Sequence, residues 1–269
     1  MDYSKTIVIM YDFDKTLSKS YMSEYGFIKN LGFKSNDEFF DYCNITIAKS
    51  YNMDNILAFL LAKIIKAKEH KIKLTKSYLN KMGKNIEFFD GVETWFKRIN
   101  DYAKSLGYKV EHYLISSGIT EIIEGCSIYN QFKKVFASSF AYNEKGEAFW
   151  PKQVVNYTAK TQYIFRIKKG LINDLTNDED INKKYNSTNS VVPYKNMIYI
   201  GDGQTDVPCM KLVKEKGGHS ICLHNGTQHS LKVAKQIYGD GRVNKINIAD
   251  YSENADLEKY VKNIIKNIK

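Results

Sequence analysis

Apolar residues fall along this chain in short β-branched runs, separated by longer stretches with a helical period. Thr6 to Tyr11 (TIVIMY) is apolar at successive positions, which suits a strand buried on both faces. Similar runs occur at 110–116 (VEHYLIS), 135–139 (VFASS), 197–200 (MIYI), 220–223 (SICL) and 245–248. Amphipathic patterns lie between them, among them 92–106 and 161–172. Strands alternating with helices predict an α/β fold, a Rossmann-like parallel sheet with helices on both faces.

Two stretches break the alternation. From Tyr21 to Glu87 there is no strand pattern, while 55–67 (NILAFLLAKIIKA) and 76–86 read as amphipathic helices. So much helix is too long for a single crossover. The expectation is a small α-helical domain over 18–87, inserted into a core made of 1–17 and 88–269. The second break, 173–193 (NDLTNDEDINKKYNSTNSVVP), is polar and poor in apolar residues, and reads as an exposed loop insert within the core. Trp95 reads as a helix-face core residue and Trp150 as a loop anchor. His219, His224 and His229 read as surface or packing residues.

Composition narrows the class. With 43% hydrophobic and 26% charged residues over 269 positions, the chain is globular and large enough for a core without covalent staples. The net charge is +10, but only Arg98, Arg166 and Arg242 are arginines. Readers of bases and phosphates are usually arginines, so no nucleic-acid partner is expected. The positive field suits an anionic small molecule. Cys43, Cys126, Cys209 and Cys222 form no CxxC pair and no zinc-ligand spacing, and read as free thiols in a reducing compartment. No run approaches the ~18 apolar residues of a membrane span, and the first residues lack a signal-peptide pattern. A cytoplasmic protein without a membrane partner is therefore expected.

Candidate chemistry sits at the ends of the apolar runs. Asp12 and Asp14, in Tyr11-Asp12-Phe13-Asp14-Lys15-Thr16-Leu17, follow the first strand at the edge where open α/β sheets bind ligands. Two neighbouring carboxylates repel, and burial makes that worse unless a cation is present. Oxygen ligands at this spacing suit Mg²⁺, although the same acids could cap the next helix. Asp202 and Asp206, in Gly201-Asp202-Gly203-Gln204-Thr205-Asp206, follow another apolar run and could supply further oxygens. Ser116, Ser117 and Gly118 end the second strand, where a hydroxyl and backbone N–H groups could hold an anion or cap a helix. Lys160 precedes a helical pattern and is uninformative alone.

Taken in order, DFDKTL, LISSG, Lys160 and GDGQTD resemble the four motifs of the haloacid dehalogenase (HAD) superfamily of phosphohydrolases. The closest resemblance is to its phosphoserine-phosphatase-like branch, in which a helical cap of the first type lies between the first two motifs. Phe89-Asp90-Gly91-Val92 resembles the segment by which such chains re-enter the core. The resemblance implies an Mg²⁺-dependent phosphatase acting on a small phosphorylated metabolite. Asp12 would be the nucleophile, forming an aspartyl-phosphate, and Asp14 the general acid and then base. Mg²⁺ would sit on Asp12, the backbone carbonyl of Asp14, and Asp202, with Asp206 in support. Ser116, with Ser117 as the alternative, would hold the phosphoryl oxygens together with Gly118, Lys160 would neutralise charge, and Thr16 would brace the first motif on the substrate side. The same intermediate would serve a phosphotransferase, and the same fold a catalytically silent binding protein.

The chain departs from the family pattern in places. Ser117 replaces a usual glycine, Tyr21 stands where a substrate-gripping glutamate is usual, and the helical insert has no arginine. These departures argue against phosphoserine. Tyr21, Tyr25, Phe27, Phe39, Phe40 and Tyr42 either pack the insert's core or wall the substrate. In the second case an aromatic or alkyl phosphomonoester would suit them. Oligomeric state is not legible.

Overall fold

A computed structural model describes residues 4–176, 179–184 and 191–268. Its strands are β1 (Thr6–Tyr11), β2 (Lys109–Ile119), β3 (Lys134–Tyr142), β4 (Ala148–Gln153), β5 (Met197–Gly201), β6 (His219–His224) and β7 (Lys245–Ile248). They form one sheet in the order β4-β3-β2-β1-β5-β6-β7. Every pairing is parallel except β3 with β4. The chain winds outward from β1 through β2 and β3, then returns to β5 on the other side of β1. That reversal opens a crevice at the C-terminal end of β1.

β1 explains why the sheet must be covered twice. Ile7, Ile9 and Tyr11 belong to one apolar cluster and Val8 and Met10 to another, and all five are fully buried. The first face is covered by α5 (Val92–Ser105) and α11 (Asp256–Asn267). The second is covered by α7 (Ala159–Lys169), α9 (Val207–Glu215) and α10 (Gln228–Gly239). On α5, Trp95, Phe96, Ile99 and Ala103 bury one helical stripe. Each large side chain so buried contributes about 1.5–3 kcal/mol.

The helical insert between β1 and β2 contains α1 (Phe27–Asn30), α2 (Asn36–Asp41), a π-helix (Tyr42–Lys49), α3 (Asn55–Glu69) and α4 (Lys76–Gly83). Ser35, Asp54 and Thr75 cap α2, α3 and α4 through side-chain oxygens, each cap worth about 1 kcal/mol. The two ends of the insert lie side by side. Ser18 bridges Phe88, Lys19 N–H donates to the Glu87 carbonyl at 2.9 Å, and Phe89 N–H donates to the Leu17 carbonyl at 2.9 Å. The insert does not hold a core apart: Phe27, Leu31, Phe39 and Leu60 are continuous with the cluster on the first sheet face. At its far end α4 lies backbone to backbone on α6 (Thr120–Ile123) and the turn after it. A Cβ on Gly83 would run into the Ile122 carbonyl oxygen, and one on Gly125 into that of Asn80. Ala148 N–H also donates to the Leu74 carbonyl at 2.8 Å, and Lys76 pairs with Glu124 at 2.9 Å.

Three sequence expectations need correction. β4 was not expected, because AFWPKQ has no alternation and carries Pro151; an edge strand tolerates both. Trp150 is therefore no loop anchor, but a strand residue 56% exposed on that edge. β2 does not stop at Ser116. It runs on through Ser117 and Gly118 with a register shift, and α6 opens only at Thr120. Of the 173–193 stretch, residues 177–178 and 185–190 lie outside the described residues. Its flanks are pinned rather than free: Arg166 donates to the Asp174 and Leu175 carbonyls, Val192 is buried, and Glu179–Asn182 form the short helix α8. No helix among the described residues is long and apolar enough to cross a membrane. The four cysteines are unpaired and buried.

Candidate active site

The crevice at the end of β1 is a cavity of about 410 Å³, walled on one side by the sheet and on the other by the insert. It brings together Asp12, Asp14, Ser116, Ser117, Gly118, Lys160 and Asp202 from four separate chain segments. Thr16 and Asp206 do not line it. Thr16 is fully buried, and its carbonyl accepts from the Tyr251 hydroxyl at 3.0 Å. It therefore braces the loop and makes no contact with the cavity.

Asp206 sits just behind the wall. Its Oδ1 accepts from Lys160 Nζ at 2.7 Å and from the Tyr199 hydroxyl at 2.7 Å, and its Oδ2 from Asp202 N–H at 3.2 Å. Gly201 makes room for it, because a Cβ there would strike the carboxylate. Lys160 lies at the start of α7, wholly buried, and also donates to Asp12 Oδ1 at 2.8 Å. Burial works against its charge, but Asp12 and Asp206 more than offset this and hold the ammonium above its usual range.

The acids outnumber their counter-charge. Asp12 and Asp202 each offer an oxygen within 4.8 Å of the other and of Asp206. Burial pushes Asp12 up to about 6, helped by the charge of Asp206 and opposed by Lys160. Burial and the charges of Asp206 and Asp12 push Asp202 well up. Asp14 is pushed up to about 7 by burial and then by Asp12, while Met22 N–H donates to its Oδ1 at 2.7 Å. Among the described residues, four carboxylates therefore share one bonded ammonium. Such a hard-oxygen set fits a divalent cation such as Mg²⁺.

Ser116 and Ser117 differ in their engagement. Ser116 Oγ accepts from Gly118 N–H at 3.0 Å, whereas Ser117 Oγ is buried without a partner among the described residues. Several residues at the site carried no sequence signal. Met22 fixes Asp14 through its backbone and accepts a contact from Ile119 N–H on its sulfur at 3.1 Å. Behind Asp12, Trp95 Nε1–H donates to the Tyr11 hydroxyl at 2.9 Å, and that hydroxyl pairs with His112 Nδ1 at 3.0 Å. Burial lowers His112 to about 3, so its ring is neutral. The Tyr11 hydroxyl, already accepting from Trp95, donates to Nδ1, which leaves the His112 Nε2–H to donate to Asn100 Oδ1 at 3.0 Å.

On the insert side the wall is Tyr21, Phe40, Ile56 and Phe59, with Cys43, Asn44 and Asn55 between them. Of the candidate aromatics, Phe27 and Phe39 are fully buried core residues, while Tyr21 and Phe40 face the cavity. Lys63 lies behind Phe59, fully buried, its Nζ 2.8 Å from that ring's centroid and 4.5 Å from that of Phe39. It has no hydrogen-bond partner among the described residues, and burial pulls its pKa well down.

This architecture, a mostly parallel sheet interrupted after its first strand by a helical insert over the acid-lined edge, is a fold shared with solved phosphoserine phosphatases and a HAD family hydrolase. No family model matches the chain. An uncharacterized protein of Borreliella burgdorferi is 26% identical over 281 residues, covering 95% of each chain. A HAD family hydrolase from Salmonella enterica serovar Typhi superposes with a TM-score of 0.57 at 15% identity, covering 99% of this chain and 72% of that one. A phosphoserine phosphatase solved as a phospho-aspartyl intermediate analogue superposes with a TM-score of 0.55 at 18% identity, covering 96% and 99%.

Proposed function

We propose that this protein is an Mg²⁺-dependent phosphatase that hydrolyses a small phosphomonoester through an aspartyl-phosphate on Asp12. One observation carries the reading: Asp12 and Asp14 open into the same cavity beside Asp202, with Lys160, among the described residues, the only ammonium bonded to the acids. The neighbour solved as a phospho-aspartyl intermediate analogue supports it.

Asp12, Asp202 and the Asp14 backbone carbonyl would hold Mg²⁺, whose charge lets an anionic carboxylate approach an anionic phosphate. Lys160 holds Asp12 through Oδ1, which turns the other oxygen toward phosphorus. That oxygen attacks, the P–O bond to the alcohol breaks, and Asp14 gives its proton to the departing alkoxide. Asp14, now a carboxylate, takes a proton from water as that water attacks phosphorus. The bond to Asp12 breaks, and phosphate leaves. Ser117 Oγ, the hydroxyl without a partner, donates to a phosphoryl oxygen, joined by Ser116 and the N–H groups of the β2 bulge. Asp206 positions Lys160 and the Asp202 backbone. The helical insert serves as the cap that excludes bulk water.

The test is phosphate release from phenyl phosphate and a panel of phosphomonoesters, with Mg²⁺ or EDTA, by wild type and Asp12→Asn. Release that requires the metal and vanishes in the variant is expected. Release that survives Asp12→Asn overturns the assignment of the nucleophile.

A further inference from the structure

The two ends of the cavity differ in charge. Its sheet end carries Asp12, Asp14, Asp202 and Lys160, and among the described residues these are the only carboxylate or ammonium side chains in the wall. Its insert end is built on the rings of Tyr21, Phe40 and Phe59, with Ser23, Asn44 and Asn55 as neutral polar groups and no charged side chain among the described residues. Phe40 and Phe59 stack with centroids 5.8 Å apart and planes 12° apart, and Tyr21 meets Phe40 edge-on at 5.2 Å. Two of these rings have a lysine nitrogen over them from outside the wall. Lys63 Nζ lies over Phe59 at 2.8 Å, and Lys15 Nζ over Tyr21 at 3.7 Å.

Building on the phosphatase reading above, we propose that the substrate's leaving alcohol is uncharged and carries a flat apolar group, so that the substrate class is an aryl or arylalkyl phosphate monoester. An amino-acid leaving group would bring an ammonium and a carboxylate against an insert end that, among the described residues, offers neutral polar groups but no charged side chain to pair with either, so their desolvation is poorly repaid. A quaternary ammonium would bring a second cation beside the Lys15 ammonium that already lies over Tyr21. A flat ring, by contrast, extends the Phe40–Phe59 stack in the offset geometry that aromatic pairs favour. The volume of about 410 Å³ suits a leaving group of one or two rings beside the phosphate.

Binding is measured by calorimetry on the whole protein with Mg²⁺, using phosphonates whose C–P bond is not hydrolysed. The probes are benzylphosphonate, 2-amino-3-phosphonopropionate and 2-(trimethylammonio)ethylphosphonate, with methylphosphonate as the reference. Benzylphosphonate is expected to bind at least about tenfold tighter than either charged probe. Phe59→Leu, which stays apolar but loses the flat face, is expected to weaken benzylphosphonate about fivefold more than methylphosphonate. Phe40→Leu is the second variant, should the first fold poorly. Equal or tighter binding of the amino-acid phosphonate overturns the proposal, most directly if that binding is lost in Lys63→Met. Turnover of phenyl phosphate and phosphoserine separates the two readings. Equal kcat/KM for both leaves the phosphatase standing and refutes the leaving-group assignment. Selective binding of benzylphosphonate without phosphate release from any ester upholds the aromatic wall and refutes the phosphatase.

Discussion

Replacing Lys160 by methionine removes the ammonium bonded to Asp12 and Asp206 in the buried acid cluster while keeping the length of the side chain. Lys160 Nζ is 2.8 Å from Asp12 and 2.7 Å from Asp206, and all three side chains are almost wholly buried. Breaking a buried pair from one side leaves an uncompensated charge and costs about 3–5 kcal/mol. For a chain of this size each kcal/mol lowers Tm by about 2–4 °C, so the expected fall is about 6–20 °C. Adding Asp206→Asn to the same chain removes one of the stranded charges and is expected to restore about 1–3 kcal/mol. On the proposed mechanism catalysis would suffer separately, because charge on Asp12 and the phosphoryl group would no longer be neutralised, and kcat is expected to fall about 10²–10³-fold. Thermal denaturation and phosphate release at pH 7.5 measure both. A Lys160→Met protein melting with wild type, or a double variant no more stable than the single, would refute the ion-pair argument.

Other perturbations separate the remaining roles. Asp14→Asn keeps the shape of the acid but not its proton, and phosphate release should slow by about 10²–10⁴-fold. The loss should be smaller for p-nitrophenyl phosphate than for an alkyl ester, because nitrophenolate leaves without protonation; equal losses count against the general-acid role. Asp12 and Asp14 have folded-state values near 6 and 7, above the usual carboxylate range. Between about pH 4 and 7 the unfolded chain therefore gives up protons that the metal-free fold retains, and stability falls as pH rises through that window. Mg²⁺ should accordingly raise Tm more at pH 8 than at pH 5, as read by scanning calorimetry with and without EDTA; a gain independent of pH contradicts it. Gly83→Ala forces a methyl group against the Ile122 carbonyl and should cost about 1–3 kcal/mol in urea denaturation, whereas Gly107→Ala, in open space but at positive φ, should cost about 1 kcal/mol. Equal effects would deny the close contact of α4 with α6.

The parallel sheet was legible because β1 and β5 are buried throughout and write nearly unbroken apolar runs, while β2 and β6 keep short apolar stretches (113–115 and 221–223) between polar residues. β4 was not, since an edge strand with Phe149 and Trp150 exposed and a proline within it resembles a loop. The acids were legible from their placement directly after apolar runs. Lys160 had no local mark: its two carboxylate partners lie 148 and 46 positions away in the chain. Met22 acts through its backbone, and Lys63 through burial behind Phe59, so neither side-chain identity announced a role. Which aromatics wall the cavity was likewise invisible. Phe39 and Phe40 are neighbours in sequence, yet one is core and the other lining.

The adjoining ends of the insert bear on how the chain folds. β1 and β2 are partners, with Tyr11 against Leu114, although roughly a hundred residues separate them. Once Ser18 lies against Phe88, the path between those partners falls to about a third of that length. Shortening a loop threefold lowers its closure cost by about 1 kcal/mol, close to a fivefold gain in rate if the insert forms first. The insert would then be a scaffold that draws the first two strands of the sheet into register. Gly83→Ala tests this by refolding kinetics. It should slow the formation of the sheet if α4 docks early, and speed only unfolding if it docks last.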